Sequence, residues 1–416
     1  MRCAHVIPYM NMRAGGPVVV VDRFCRQMAR HGVESIVLTT DVLGEPDGQI
    51  ISGEAAGEGP STGTYELRCH RAFLGTFGYS PTLATSLDEC VPTCDLVHVH
   101  TLWTYATWAA VRACRRHGVP YVLMPHGMLD RHSLARKPLR KTAYGHLFEF
   151  ARARAAAAMI YTTDAERELA EASVRDLPEG HIVPLAADPP PDERAALAQS
   201  FLASRPHLAD KHVVTFLGRV HPKKGLDLLI PAFAKVAMRV PNSHLLVIGP
   251  DNDGYWPRIQ QQIDGLGLRP YVTRIEMLRG QLKWAALAAS QLFVLPSHQE
   301  NFAIAVAEAL RIGTPVVISD RVNIWPTVAR GGAGRVVPRD LNSLVDALLA
   351  SLEDPVAWRA MSEAAVSVAC ECFDWRRSAD AMMRVYEQVV ERRAARMVQP
   401  APMGRFARSS VAEVHP

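Results

Sequence analysis

Nine short apolar runs, each followed by a stretch with helical spacing, constrain this chain more than any other feature. Runs at 3–7, 35–40, 95–100, 121–124 and 158–162 fill the first half, and runs at 213–217, 244–248, 292–295 and 315–319 the second. They are apolar throughout instead of alternating, which is the pattern of strands buried on both faces of a parallel sheet. Strand–helix alternation builds βαβ units, so the expected class is α/β with doubly wound sheets. One helix reads in detail: Val21, Phe24, Cys25, Met28 and Ala29 share a face, Pro17 suits its first turn, and Gly32 follows as a stop. Another begins near Leu226 and turns Leu229, Ile230 and Phe233 inward.

Asp188-Pro189-Pro190-Pro191-Asp192 interrupts the alternation, because three successive prolines extend neither a helix nor a central strand. The alternation restarts at Val213. We therefore expect two similar α/β domains, 1–190 and 205–375, facing each other across a cleft. At 416 residues the chain is long enough to bury a core in each. The stretch 397–416 has no apolar period and reads as a disordered tail. A formal charge of +4 gives no general case for nucleic acid, and no nucleic-acid partner is expected. Eight cysteines lack zinc-finger spacing and read as reduced thiols of a cytoplasmic protein. No run approaches the ~20 apolar residues of a membrane span, so membrane contact is expected to be peripheral.

Common nucleotide motifs are missing: no G-x-G-x-x-G follows the first strand, and no P-loop or G-x-S-x-G occurs. What remains are phosphate-type features at strand ends. Gly15-Gly16 stands between the first strand and a helix, where it is either an anion-accepting turn or a plain tight one. Gly218-Arg219-Val-His-Pro-Lys223-Lys224-Gly225 lies between a strand and a helix, and two cations beside a helix N-terminus suit a leaving diphosphate. Ser297-His-Gln-Glu300-Asn301-Phe302-Ala303 opens an apolar helix that carries Glu308 in its interior, a place where a carboxylate demands a partner. Eight residues of helix span ~12 Å, so Glu300 and Glu308 would touch opposite ends of one elongated ligand. Asp251-Asn-Asp253-Gly254 reads as a turn rather than a metal motif. His126 closes a strand and would face the cleft. His98 and His100 share one strand face and read as packing.

Taken together, these residues resemble family 4 of the glycosyltransferases, which have the two-domain GT-B fold. The most specific parts are Gly218-Arg219 with Lys224-Gly225 and the pair Glu300/Glu308, followed by Gly313-Thr-Pro315-Val-Val. Supporting matches are Gly15-Gly16-Pro17, Asp95-Leu-Val-His98-Val-His100, Pro125-His126-Gly127-Met128 and Val322-Asn323-Ile324-Trp325-Pro326. Phe373-Asp374-Trp375 looks like the start of the family's final helix, which returns to the first domain over 376–396. The resemblance implies a retaining transfer of a hexosyl unit from a nucleotide-diphosphate sugar, without a catalytic metal. Arg219 and Lys224 would hold the diphosphate, Glu308 the ribose, and Glu300 the donor sugar. Backbone N–H groups at Phe302 and Ala303, next to Asn301, would orient sugar and phosphate. Gly15 and Gly16 would close from the first domain, and His126 would lie near sugar and acceptor. Glu300 is not assigned as a nucleophile.

Two departures stand out. Glu300-Asn301-Phe302-Ala303 replaces the frequent Glu-Gly-Phe-Gly, and Glu276 stands where a glycine is frequent near the base, so GDP and UDP both stay open. The expected acceptor is a saccharide or a lipid-diphosphate-linked oligosaccharide in polysaccharide synthesis. Arg131, Arg136, Lys137, Arg140, Lys141, Arg152 and Arg154, interleaved with apolar residues and opposed only by Glu149, form either an anionic-membrane contact within 131–154 or a solvated helix face. The rival readings are a GT-B nucleotide-sugar epimerase and a non-catalytic nucleotide-sugar-binding protein.

Overall fold

The computed structural model describes residues 1–11, 15–46, 65–130, 134 and 145–398. Two parallel sheets organise them. The first holds β1 (Arg2–Val6), β2 (Glu34–Thr40), β3 (Glu66–His70), β4 (Leu96–His100), β5 (Tyr121–Met124), β6 (Ala158–Tyr161) and β7 (Gly180–Ile182) in the order β3-β2-β1-β4-β5-β6-β7. The second holds β8 (His212–Leu217), β9 (Ser243–Ile248), β10 (Val272–Ile275), β11 (Leu292–Leu295), β12 (Val316–Ser319) and β13 (Gly334–Val337) in the order β10-β9-β8-β11-β12-β13. The central strands are buried along nearly their whole length, as two-sided helix cover requires.

The nine runs read from the sequence are all strands. The four strands that the reading missed, β3, β7, β10 and β13, are the edges of the two sheets, and most of their residues are only half buried. A strand covered on one side needs no continuous apolar run, so its signal is weaker.

In each sheet the strand order reverses once, between β1 and β4 and between β8 and β11. At such a switch point adjacent loops leave in opposite directions and open a crevice at the carboxyl ends of the strands. The loops at these points are those carrying Gly15-Gly16 after β1, Arg219 and Lys224 after β8, and Glu300 after β11.

Around the proline segment the structure refines the expected division. The helix Arg194–Ala203 lies before residue 205 yet packs with the second sheet's layer, anchored by Arg194, which donates to the carbonyls of Gly313 (2.6 Å) and Ser290 (3.2 Å). The helix Trp375–Val398 returns to the first half: Trp375 meets Phe24 edge-on at 5.5 Å, Arg393 donates to the Asp95 carbonyl at 3.1 Å, and Met382, Val385, Tyr386 and Val389 are buried. Residues 399–416, the larger part of the expected tail, lie outside the described residues, as do Arg131, Arg136, Lys137, Arg140 and Lys141 of the basic stretch. Arg152 is not a solvated cation. It pairs at 2.8 Å with buried Glu149, which also accepts from the Trp103 N–H. No described helix is long and apolar enough to cross a membrane.

Candidate functional site

The loop after β8 is shaped by glycine. Gly225 has φ 79°, and a Cβ there would collide with the Pro296 carbonyl oxygen; Gly249 is likewise pressed onto the Gly218 carbonyl. This close approach lets the β8 and β11 loops meet. Lys224 Nζ consequently lies 2.8 Å from Glu300 Oε1, joining two of the expected site residues in a mostly shielded ion pair. His221 caps the intervening turn by accepting from the Lys223 N–H at 2.9 Å.

Glu300 precedes its helix instead of belonging to it. The helix is Ile304–Arg311, and Glu300 sits in an extended segment bridged to Val322. The expected 12 Å helical span between Glu300 and Glu308 therefore does not hold. The pair is separated by a turn whose last residue, Ala303, has φ 64° and ψ 69°. That is the left-handed region, and alanine adopts it here against a steric cost of about 1–2 kcal/mol. Phe302 is buried, edge-on to Phe373 at 5.4 Å, so its side chain is core and only its backbone is offered to a ligand.

Glu308 has the partner its position demanded: Lys283 Nζ lies 2.5 Å from its Oε1. Lys283 was not among the sequence candidates. It lies 25 residues upstream on the helix Gly280–Ala288, and no local spacing announces it.

The first half supplies the facing wall. Gly15 and Gly16 approach Arg219 and Ile304 so closely that a Cβ on either would stand 3.9 Å from those side chains. His126 follows β5 with φ 50°, and its neighbour Gly127 has φ 74°. This turn, strained at His126 but not at the glycine, is held by Glu166, a buried carboxylate that accepts from the N–H of Gly127 (2.6 Å), the N–H of Thr162 (2.7 Å) and the Thr162 hydroxyl (2.8 Å). Burial pushes the Glu166 carboxyl up, against those hydrogen bonds. Burial also holds the His126 imidazole down to about 3. Glu166 was missed by the sequence reading as well; only the capping pattern of Thr163 to Glu166 marks it locally.

Across the cleft Gln299 donates to Asp130 at 2.6 Å and Asn301 donates to the Thr162 hydroxyl at 3.0 Å. The result is a polar cavity of about 330 Å³ whose walls include His126, Asp130, Arg219, Lys224, Glu300 and Asn301. Glu308 and Phe302 are not among its lining residues. Asp251 is a helix cap, accepting from the N–H groups of Tyr255 (2.8 Å) and Trp256 (2.9 Å), as the turn reading expected. Glu276 follows β10 and is exposed. His98 and His100 are fully buried, together with His5 of the neighbouring strand.

With this geometry in place, the comparisons decide the family. The family described as "Glycosyltransferase Family 4" matches residues 14–189, and "Glycosyl transferases group 1" matches residues 200–368. A D-inositol 3-phosphate glycosyltransferase of Xylanimonas cellulosilytica is 31% identical over 335 residues, covering 73% of this chain and 74% of that protein. The chain belongs to the family 4, group 1 glycosyltransferases. Among solved structures, the sucrose-phosphate synthase of Thermosynechococcus elongatus superposes with a TM-score of 0.74 at 20% identity, covering 94% of this chain and 100% of that one. Anabaena HepE in complex with UDP and glucose superposes with a TM-score of 0.73 at 19% identity, covering 93% and 100%. These likenesses bear on the fold, which is GT-B.

Proposed function

We propose that this glycosyltransferase moves a hexosyl unit from a nucleotide-diphosphate sugar to a saccharide or lipid-linked acceptor, with retention of the donor's anomeric configuration and without a catalytic metal. The observation that carries the reading is that one cavity gathers Arg219, Lys224 and Glu300 from the second half against His126 and Asp130 from the first. Breaking the glycosyl–phosphate bond places negative charge on the departing diphosphate. Arg219 and Lys224, fixed by the glycine-rich loop, would stabilise that charge without reorganising. Lys224 is paired with Glu300, which holds it at the wall of the cavity. The departing phosphate oxygen would take the acceptor hydroxyl's proton on the face it leaves, so no protein nucleophile is required. Contact between the two halves would exclude water and limit donor hydrolysis.

Glu308, steadied by Lys283, would accept from ribose hydroxyls just beyond the cavity, and the N–H groups near Asn301, Phe302 and Ala303 would orient sugar and phosphate. A UDP-sugar is supported by the likeness to Anabaena HepE, whose structure is a complex with UDP and glucose; GDP-mannose stays the alternative donor. A peripheral anionic-membrane contact within 131–154 is part of the proposal for a lipid-linked acceptor. The test is nucleotide release from a panel of GDP- and UDP-sugars, with and without lipid-linked acceptors, in wild type and Glu308→Ala. Acceptor-dependent release from one donor, lost in the variant, is expected. Release without any acceptor would favour the epimerase reading, and donor binding without release a binding protein.

A further inference from the structure

Three imidazoles form a line that runs from the interior of the first sheet to the cavity. His5 Nδ1 lies 3.1 Å from His100 Nε2, and His100 Nδ1 lies 3.2 Å from His126 Nε2. His5 and His100 are fully buried, and burial holds all three rings well below the usual histidine range, His5 to about 4 and His126 to about 3. Each ring is thus neutral and carries one proton. His5, His98 and His100 also lie close enough together to suggest an ion site. Two of their nitrogens bond each other, however, and His98 stacks on His100 at 4.0 Å and 23°, so the rings stand side by side instead of converging on one centre.

Two neutral arrangements make both links, because any mixture sets two protons or two lone pairs face to face. In one, every ring is protonated on Nδ1, and His5 donates to His100, which donates to His126. In the other, every ring is protonated on Nε2 and the line runs backwards. The far end decides between them. His5 Nε2 is buried and has no hydrogen-bond partner among the described residues. The second arrangement would bury an orphan N–H there, whereas the first leaves only an unused lone pair. Orphaned buried donors are the rarer and costlier defect. We infer that His126 is locked as its Nδ1–H tautomer and serves the cavity as a hydrogen-bond donor, with His100 and His5 as its positioning residues.

His126 Nε2 is then occupied, and the ring lends the reaction no basic nitrogen. Because His126 lines the cavity and its Nε2 is turned to His100, the Nδ1–H is the polar hydrogen it has to offer a ligand oxygen. That oxygen's being a sugar hydroxyl rests on the donor-site reading above; the tautomer does not.

The test begins on ligand-free, full-length protein labelled with 15N-histidine, with His126 assigned as the signals lost in His126→Asn. Protonated Nδ1 and bare Nε2 are expected; a proton on Nε2 overturns the inference. Because no ligand is present, this outcome is independent of donor turnover. Transfer kinetics then separate positioning from packing. His100→Leu frees the ring of His126 and should lower kcat about tenfold with little change in donor KM, the loss of one well-placed hydrogen bond. His100→Asn, whose Nδ2–H replaces the lost donor, should stay within about threefold of wild type. Equal losses in both variants would overturn the role of His100.

Discussion

At the scale of single residues, the backbone at Ala303 carries the clearest strain in the candidate site. Its φ of 64° is one that glycine adopts freely and alanine does not. Ala303→Gly should relieve about 1–2 kcal/mol of steric cost and give back about 0.4–1 kcal/mol through the looser unfolded chain. A net gain of up to about 1.5 kcal/mol is expected in urea denaturation, with donor affinity unchanged or tighter, and a loss of stability would refute the strain. Lys283 and Glu308 are expected to behave asymmetrically. Lys283→Met leaves a shielded carboxylate without its cation, whereas Glu308→Gln leaves a lysine that is more exposed. The first should cost about 1–2 kcal/mol, reduced from the fully buried case because Lys283 is 26% exposed, and the second less than 1 kcal/mol. Both should weaken nucleotide binding roughly tenfold, readable by calorimetry. Equal stability costs would mean that the pair is merely superficial.

At the scale of elements, β1 and β4 hold three fully buried histidines, His5, His98 and His100, and the loop after β5 holds the half-buried His126, and acid stability should follow from them. His5 is held to about 4 and His126 to about 3, with His98 and His100 also well below the ordinary 6.5, mainly by burial. For a depressed group the unfolded chain binds the proton first, so the stability contribution is complete above pH 6.5 and is lost as pH falls toward the folded values. Each histidine adds up to about 1.4 kcal/mol per pH unit in that window. The melting temperature should be flat from pH 7 to 8 and fall steeply between 6.5 and 4, less steeply in His98→Phe. An unchanged slope in that variant would count against the proton-uptake account. The same elements show what the sequence could disclose. β5 and β11 were legible because burial on both faces writes an unbroken apolar run. β3 and β10 were not, because edge strands tolerate polar residues such as Glu66 and Arg274. Arg219, Lys224 and Glu300 were legible because charged residues in short loops between a buried strand and a helix stand out in the sequence, and the structure brings these three to one cavity. Glu166 and Lys283 were hidden because their partners, Gly127 and Glu308, come from other elements, and only folding shows the pairing.

At the scale of the whole molecule, two kinds of contact join the halves. At the back the connection is mainly apolar: Trp375, which opens the helix returning to the first half, rests on Phe24, and Met382, Val385, Tyr386 and Val389 farther along that helix are buried, while the Ala187 N–H donates to the Phe373 carbonyl at 3.2 Å. At the front, among the described residues, it includes two polar contacts, Gln299 on Asp130 and Asn301 on Thr162. Apolar burial behind and single hydrogen bonds in front describe a pivot with a latch, since a net hydrogen bond contributes only about 0.5–1.5 kcal/mol. Gln299→Ala removes one latch without touching the cations that would hold the diphosphate. The open population should rise about three- to tenfold, seen as a larger radius of gyration in small-angle scattering. Nucleotide affinity should change less than twofold, because Arg219, Lys224 and Glu308 all belong to the second half. Transfer should slow several-fold while donor hydrolysis, as a share of turnover, rises, because water enters a cleft that closes less often. A variant that lost nucleotide affinity and transfer in equal measure would show instead that Gln299 shapes the donor site itself and that the front contact is no latch.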